Sequence, residues 1–110
     1  MKSPTARTLT ALRAEGWTVA VSESWVPHAK VRRDLFAAFD VVAVRADRQG
    51  VLGVQTTSRT NHAARRSKLL ANPAVAVWLR AGNSVEVWSC QQVEGRWTCR
   101  REALALAAGD

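Results

Sequence analysis

The sequence lacks most of the features that would fix its class at once. No stretch approaches the ~20 consecutive apolar residues of a membrane span, and the lysine at position 2 is followed by no apolar core. Neither a spanning segment nor a secretory signal is therefore expected, and the expected compartment is cytoplasmic. There are no internal repeats, linkers or low-complexity tracts. A glycine-rich phosphate loop, a Cys-x-x-Cys pair and a Ser/His/Asp arrangement of supportive spacing are all missing. The only histidines are His28 and His62 and the only cysteines Cys90 and Cys99, so a four-ligand zinc site has no convincing second pair.

Lysine is scarce as well: thirteen of the sixteen basic residues are arginine, set against nine acids. A compact basic domain points to a polyanion, most often nucleic acid, and the planar fork of donors on arginine suits phosphate. The alternative is an exchange of lysine for arginine throughout a GC-rich coding sequence, which the many alanines and valines fit. The length allows one domain, residues 1–110. A chain of this size buries roughly 60–70% of its unfolded surface, so a real core is feasible without staples.

What is present is organised around residues 34–66. Val41–Val44 and Val51–Thr57 are short, β-branched runs separated by Asp47-Arg48-Gln49-Gly50, and they read as a β-hairpin buried on at least one face. A turn centred between Asp47 and Arg48 sets Asp40 opposite Gln55, Val42 opposite Gly53 and Val44 opposite Val51. Strand alternation then puts Gln55 and Thr57 on one face with Asp40 beside them. A one-residue slip would move Asp40 off that line. An acid opening one strand beside an amide closing its neighbour is a seat for an oxygen-loving cation.

Upstream, Ser3-Pro4 reads as an N-cap with proline in the first helical turn, and Gly16 as the stop. Thr5, Leu9 and Leu12 make the inward stripe of that helix. Trp17 to Glu23 alternates as a strand, with Trp17, Val19 and Val21 on the apolar face. Glu23 either continues that face, where it needs a metal or an arginine, or lies in solvent beyond the strand end. Trp25 to Arg33 reads as a loop with a proline break. Its Trp25, Lys30, Arg32 and Arg33 suit a nucleic-acid backbone or an unstacked base, although Trp25 reads first as a core anchor. Residues 32–38 are expected to form a helical turn.

Downstream, Asn61 is expected to cap a helix running to about Ala71, with Ala63, Leu69 and Leu70 inward, His62 and Arg66 in or beside that face, and Arg65 and Lys68 outward. Arg66 has a plain alternative, pairing with Asp34 or Asp40. Residues 74–79, apolar on both faces, read as a central strand parallel to the Gln55 strand. Two further strands, Ser84–Cys90 and Arg96–Arg100, flank a Glu94-Gly95 turn, which sets Cys90 opposite Cys99 as a structural pair, bonded or reduced. A weak Ala- and Leu-rich helix is expected to end the chain.

The order helix, three strands, helix, strands resembles the PD-(D/E)xK nuclease superfamily, and within it the small phage-type and archaeal Holliday-junction-resolvase-like proteins. The likeness covers residues 3–90 and rests on Arg33-Asp34-Leu35-Phe36, Phe39-Asp40, Val54-Gln55-Thr56-Thr57 and Asn61-His62-Ala63-Ala64-Arg65. It implies an α/β restriction-endonuclease-like core of αβββαβ order, a mixed central sheet flanked by helices. It also implies Mg²⁺ or Mn²⁺, as one or two ions, and metal-dependent hydrolysis of DNA, including branched DNA, by a homodimer.

The matching site positions are Asp40, Gln55 and Thr57. Gln55 stands where Asp or Glu is usual and Thr57 where lysine is usual, so Arg66 or Lys68 would have to reach in from the next helix. The family's first helix often supplies a glutamate, and Glu23 or Asp34 would have to compensate for its absence here. The implied metal set is Asp40 and Gln55 with Glu23 or Asp34. His62, Arg66 or Lys68 would face the phosphate, and Lys30, Arg32, Arg33, Arg65 and Trp25 would hold the nucleic acid. Two rival expectations stand beside this one: a catalytically inactive nucleic-acid-binding module that keeps the fold, and a protein-interaction subunit.

Overall fold

A computed structural model describes residues 3–105. In chain order it comprises α1 (Pro4–Ala14), β1 (Thr18–Val21), β2 (Ser24–Val26), β3 (Val31–Arg33), β4 (Val41–Val44) and β5 (Leu52–Ser58). A 3₁₀ turn (Arg59–Asn61) leads into α2 (His62–Leu70), then α3 (Pro73–Arg80), β6 (Ser84–Val93) and β7 (Arg96–Leu104). Five strands form one mixed sheet in the order β1-β4-β5-β6-β7, while β2 and β3 make a separate two-stranded ribbon. The fold is α/β. Only β5 and β6 run parallel, and they are the pair joined through the helices. Among the described residues no helix is long and apolar enough to cross a membrane.

The alternation of the strands builds two cores, one on each side of the sheet. On one face α1 packs Leu12 with Trp17, Val41, Ala43, Leu52, Val54 and Trp88. On the other, α2 and α3 bring Leu69 and Val75 onto Phe39, Val85, Val87 and Leu104. The first helix starts and stops where expected: the Ser3 hydroxyl accepts from the Ala6 amide, and Gly16 follows with φ +95°. The β4–β5 register also agrees with expectation, pairing Val41 with Val54 and Val42 with Gly53, so that Asp40 lies opposite Gln55.

Four expectations fail. Residues 74–79 are helical, within α3. Asn72 accepts from the Ala74 amide at 2.9 Å with Pro73 behind it, so this pair caps a new helix rather than only closing α2. A short apolar run fits helix and strand alike by periodicity, and here the cap decides. The strand parallel to β5 is the next one, β6. The segment read as a loop is the β2–β3 ribbon, turning at Pro27–Lys30, and Trp25 on it is 54% exposed rather than a core anchor. Residues 35–39 form a tight turn instead of a helix: the Ala38 amide donates to the Leu35 carbonyl, with Phe36 and Ala37 both at φ near +56°. Glu102–Leu104 continue β7, where a terminal helix was expected; residues 106–110 lie outside the described part. Cys90 and Cys99 are directly paired between β6 and β7 and are disulfide-bonded.

Gly53 is the position at which backbone and side chain meet most closely in the core. A Cβ there would stand 2.8 Å from the ring of the fully buried Phe39. Phe39 adjoins Asp40, so this contact also sets where the site begins. Gly53→Ala is expected to lower stability by about 1–3 kcal/mol, the usual cost of overpacking. Chemical denaturation of the two proteins measures it, and an unchanged midpoint would mean that the ring moves freely.

Candidate active site

The acids come together for a backbone reason. The ribbon pairs Ser24 with Arg33, so continuing its register by one step opposes Glu23 and Asp34 at its base, where the two strands meet the main sheet. Ser22 fastens that base: its amide donates to the Asp40 carbonyl at 2.9 Å and its hydroxyl to the Phe39 carbonyl at 2.8 Å. Asp34 is raised above the ordinary carboxylate range chiefly by burial and then by Glu23, with Arg65, Lys68 and the Gln55 side chain acting in the opposite direction.

Asp40 closes the cluster on the sheet side. β4 ends short of β5, so the Thr56 amide has no strand carbonyl to meet, and the Asp40 carboxylate takes its place. Oδ1 accepts from the Thr56 amide at 3.0 Å and Oδ2 from the Thr56 hydroxyl at 2.6 Å. The Thr56 hydroxyl also lies 2.8 Å from the Thr5 hydroxyl on α1. Burial pushes the Asp40 pKa up to about 6 against these two hydrogen bonds, and Asp34 adds to the rise. The backbone pairing with Gln55 is therefore as expected, but the carboxylate itself turns to Thr56. Gln55 is buried, in polar contact with Asp34 and donating through Nε2 to the Thr56 carbonyl at 3.3 Å.

The cations come from α2. Arg65 is half-buried and Lys68 exposed, as expected of the outward side, and with Arg33, Asp34 and Ala37 they line an open groove of about 500 Å³. Of the two residues expected to reach in from α2, Lys68 lines this groove and Arg66 does not. Arg66 Nε donates to Glu102 Oε2 at 2.9 Å on the β7 side, in a separate cavity. His62 is likewise withdrawn from any ligand. It is 2% exposed, its Nε2 lies 3.0 Å from Glu102 Oε1 and its Nδ1 2.6 Å from Ser89 Oγ. Glu102 is held below the usual carboxylate range by the His62 hydrogen bond, helped by Arg66 and Arg100. Ser89 has no exposed surface, so this trio ties α2 to β6 and β7 and offers no nucleophile. Thr57 is buried on β5. Lys30 is exposed at the ribbon turn, and Arg32 stands opposite Trp25 in the ribbon register.

Sequence reasoning missed two parts of this arrangement. The opposition of Glu23 and Asp34 was signalled by two short strand-like runs on either side of Pro27-His28-Ala29-Lys30. Thr56 as partner of Asp40 carried no signal, because it depends on where β4 stops.

Glu23, Asp34, Asp40 and Gln55 offer oxygen ligands, the donor type that Mg²⁺ and Mn²⁺ prefer, and the pKa values of Asp34 and Asp40 are raised chiefly by burial, with neighbouring acids adding to it, a cost that a bound dication would offset. Among the described residues no three His, Cys, Asp or Glu side chains form a ligating group. The donors therefore fit an ion held by one or two carboxylates, the Gln55 amide oxygen, water and a substrate phosphate, a common arrangement for Mg²⁺. No protein-family model, curated protein or solved structure matches the chain.

The raised Asp40 pKa has a sign that can be tested. Between about pH 4 and 6 the folded protein holds a proton on Asp40 that the unfolded chain has released, so stability falls as pH rises through this window. The size is on the order of 2–3 kcal/mol. Asp40→Asn keeps an acceptor for the Thr56 amide and is expected to flatten that slope. Denaturation midpoints across the range measure it; equal slopes in the two proteins would place the titration elsewhere.

Proposed function

We propose that the chain is a metal-dependent DNA endonuclease of the PD-(D/E)xK kind, acting on phosphodiester bonds at branched DNA. The observation that carries this reading is a pair of carboxylates raised by burial, Asp34 and Asp40, of which Asp34 lines a groove together with Arg33, Arg65 and Lys68. Perturbed acids beside cations in a concave site are characteristic of catalytic positions.

Each residue then has a distinct task. Asp40, Asp34 and the Gln55 oxygen would hold Mg²⁺ or Mn²⁺, with Glu23 at the rim; the bound ion polarises a phosphate and acidifies a water. Arg33 and Arg65 clamp the backbone, and their planar donors fix a phosphate in one orientation. Lys68 supplies the point charge that stabilises the negative charge growing on the phosphate oxygens. It replaces from a helix what the family's strand lysine supplies, which accounts for the tolerance of Thr57 on β5. A two-fold symmetric junction would engage two copies of the chain.

A second reading has its own support. Both Asp40 oxygens already accept hydrogen bonds from Thr56, and Gln55 is neutral. These features suit a module that binds DNA without cutting it. It would bind in a salt-sensitive, metal-independent way.

A cleavage assay on a four-way junction and a matched linear duplex separates the two. It is run with Mg²⁺, Mn²⁺ or EDTA, using wild type, Asp40→Ala, Asp34→Asn and Lys68→Ala. The nuclease reading expects metal-dependent cutting that falls about 10²-fold or more in each variant whose folding is intact by circular dichroism. Cutting by folded Asp40→Ala at the wild-type rate would refute the site. Absence of cutting together with binding that survives EDTA and Asp40→Ala would support the binding module.

A further inference from the structure

The β2–β3 ribbon is the part of the molecule that its own packing does not explain. Nearly every described position on it is exposed, including Pro27, His28, Lys30, Val31 and Arg33, and it pairs with no strand of the main sheet. A two-stranded ribbon is marginal on its own in water, so an exposed one that carries a large aromatic calls for a reason.

The tryptophans supply it. Four of the five have a partner for the ring. Trp17 lies under Arg45 and Arg48, Trp78 beside Phe36 and Phe39, Trp88 under Arg101, and Trp97 under Arg7. Trp25, by contrast, stands on the exposed ribbon with more than half of it open to solvent. It is also the tryptophan nearest the acids in sequence. At the rise of a β-strand, Trp25 stands about 7 Å along β2 from Glu23, or about two base steps of a nucleic-acid strand.

Resting on the nuclease reading above, we propose that Trp25 is a stacking platform for an unpaired base of DNA, and that the ribbon thereby selects substrates with unpaired or unstackable nucleotides beside the groove. The groove provides the other half of the contact. By strand alternation Asp34 shares the ribbon face of Trp25, and it lines the groove with Arg33, Arg65 and Lys68, so a strand held there by its phosphates would run past that face. Lys30, at the ribbon tip, extends the same positive track outward. An indole beside a cationic track is the usual combination for single-strand recognition, because every base has a face to stack while phosphates give grip. A perfectly paired duplex keeps its bases stacked on one another and gains only the phosphate contacts, so the indole sets a preference rather than the overall affinity.

The test compares wild type, Trp25→Ala and Trp25→Phe in EDTA, so that nothing is cut. The probes are a single-stranded oligodeoxynucleotide, a duplex with a short unpaired flap and a fully matched duplex, with 2-aminopurine at the unpaired position. Wild type is expected to favour the flap and the single strand over the matched duplex. Trp25→Ala should lose about tenfold in affinity for those two, leave the matched duplex unchanged, and abolish the 2-aminopurine quenching seen with wild type. Trp25→Phe, which keeps a ring, should recover most of the loss. Equal affinities of wild type and Trp25→Ala for all three probes would overturn the inference while leaving the nuclease reading intact, as would equal losses on all three. Failure of the wild-type protein to bind any of the probes, in EDTA and also with Ca²⁺ in its place, would overturn both.

Discussion

The Asp40 carboxylate stands in for a missing piece of backbone, and much of the molecule hangs on that substitution. β4 begins only at Val41, opposite Val54, so the Thr56 amide two residues farther along β5 would be buried without a β4 acceptor. Such a group costs about 1–3 kcal/mol if unsatisfied. Asp40 satisfies it and takes the Thr56 hydroxyl as well. Through Thr56 the bond reaches Thr5 on α1, and through the Asp40 carbonyl it reaches Ser22, where the chain leaves β1 for the ribbon. Helix, sheet and ribbon are thus registered at one acid. That acid is buried enough to hold its proton to about pH 6, so the joint that orders the fold is also the most electrostatically loaded point in it.

The second constraint is the way α2 divides its polar residues. His62 and Arg66, four apart, share one side of the helix and close on Glu102 of β7. Arg65 and Lys68, three apart, share another and face Asp34. Both spacings bring side chains together on a helix surface. The first pair locks the helix to the sheet; the second is thereby held over the acids. The buried histidine positions the groove without entering it.

How much of this was legible in the sequence follows from which physics decided each part. The α1 cap, the Asp40–Gln55 opposition and the Cys90–Cys99 pairing could be read because they depend on local turn and cap chemistry at Ser3-Pro4, Asp47–Gly50 and Glu94-Gly95. The run at 74–79 was misread because an apolar stretch of that length has no diagnostic period, and only the Asn72 cap separates helix from strand. Inwardness on α2 was assigned by an apolar stripe too weak to fix the rotation of the helix: Leu69 is buried, but Leu70 is not, and Lys68 looks onto the groove. The direction of the Asp40 carboxylate was beyond reach, since it is set by the length of β4 and not by alternation.

A chain with seven excess positive charges has cations to spare, and several of its acids have taken them. Glu15 and Glu86 share Arg101, Asp47 has Arg45, and Glu102 has Arg66 with Arg100 beyond it. Asp34 and Asp40 are different: burial outweighs the hydrogen bonds and cations acting on them, Glu23 raises Asp34 further, and Asp34 raises Asp40. A fold under pressure only for stability could have replaced Asp34 with a neutral residue at no cost to the ribbon register, which is a backbone matter. It could also have relaxed the turn between the two acids, where Phe36 and Ala37 both hold a left-handed backbone that disfavours side chains. Two carboxylates whose burial outweighs the groups that favour their charge, with two left-handed residues between them, thus stand beside the cations of the groove.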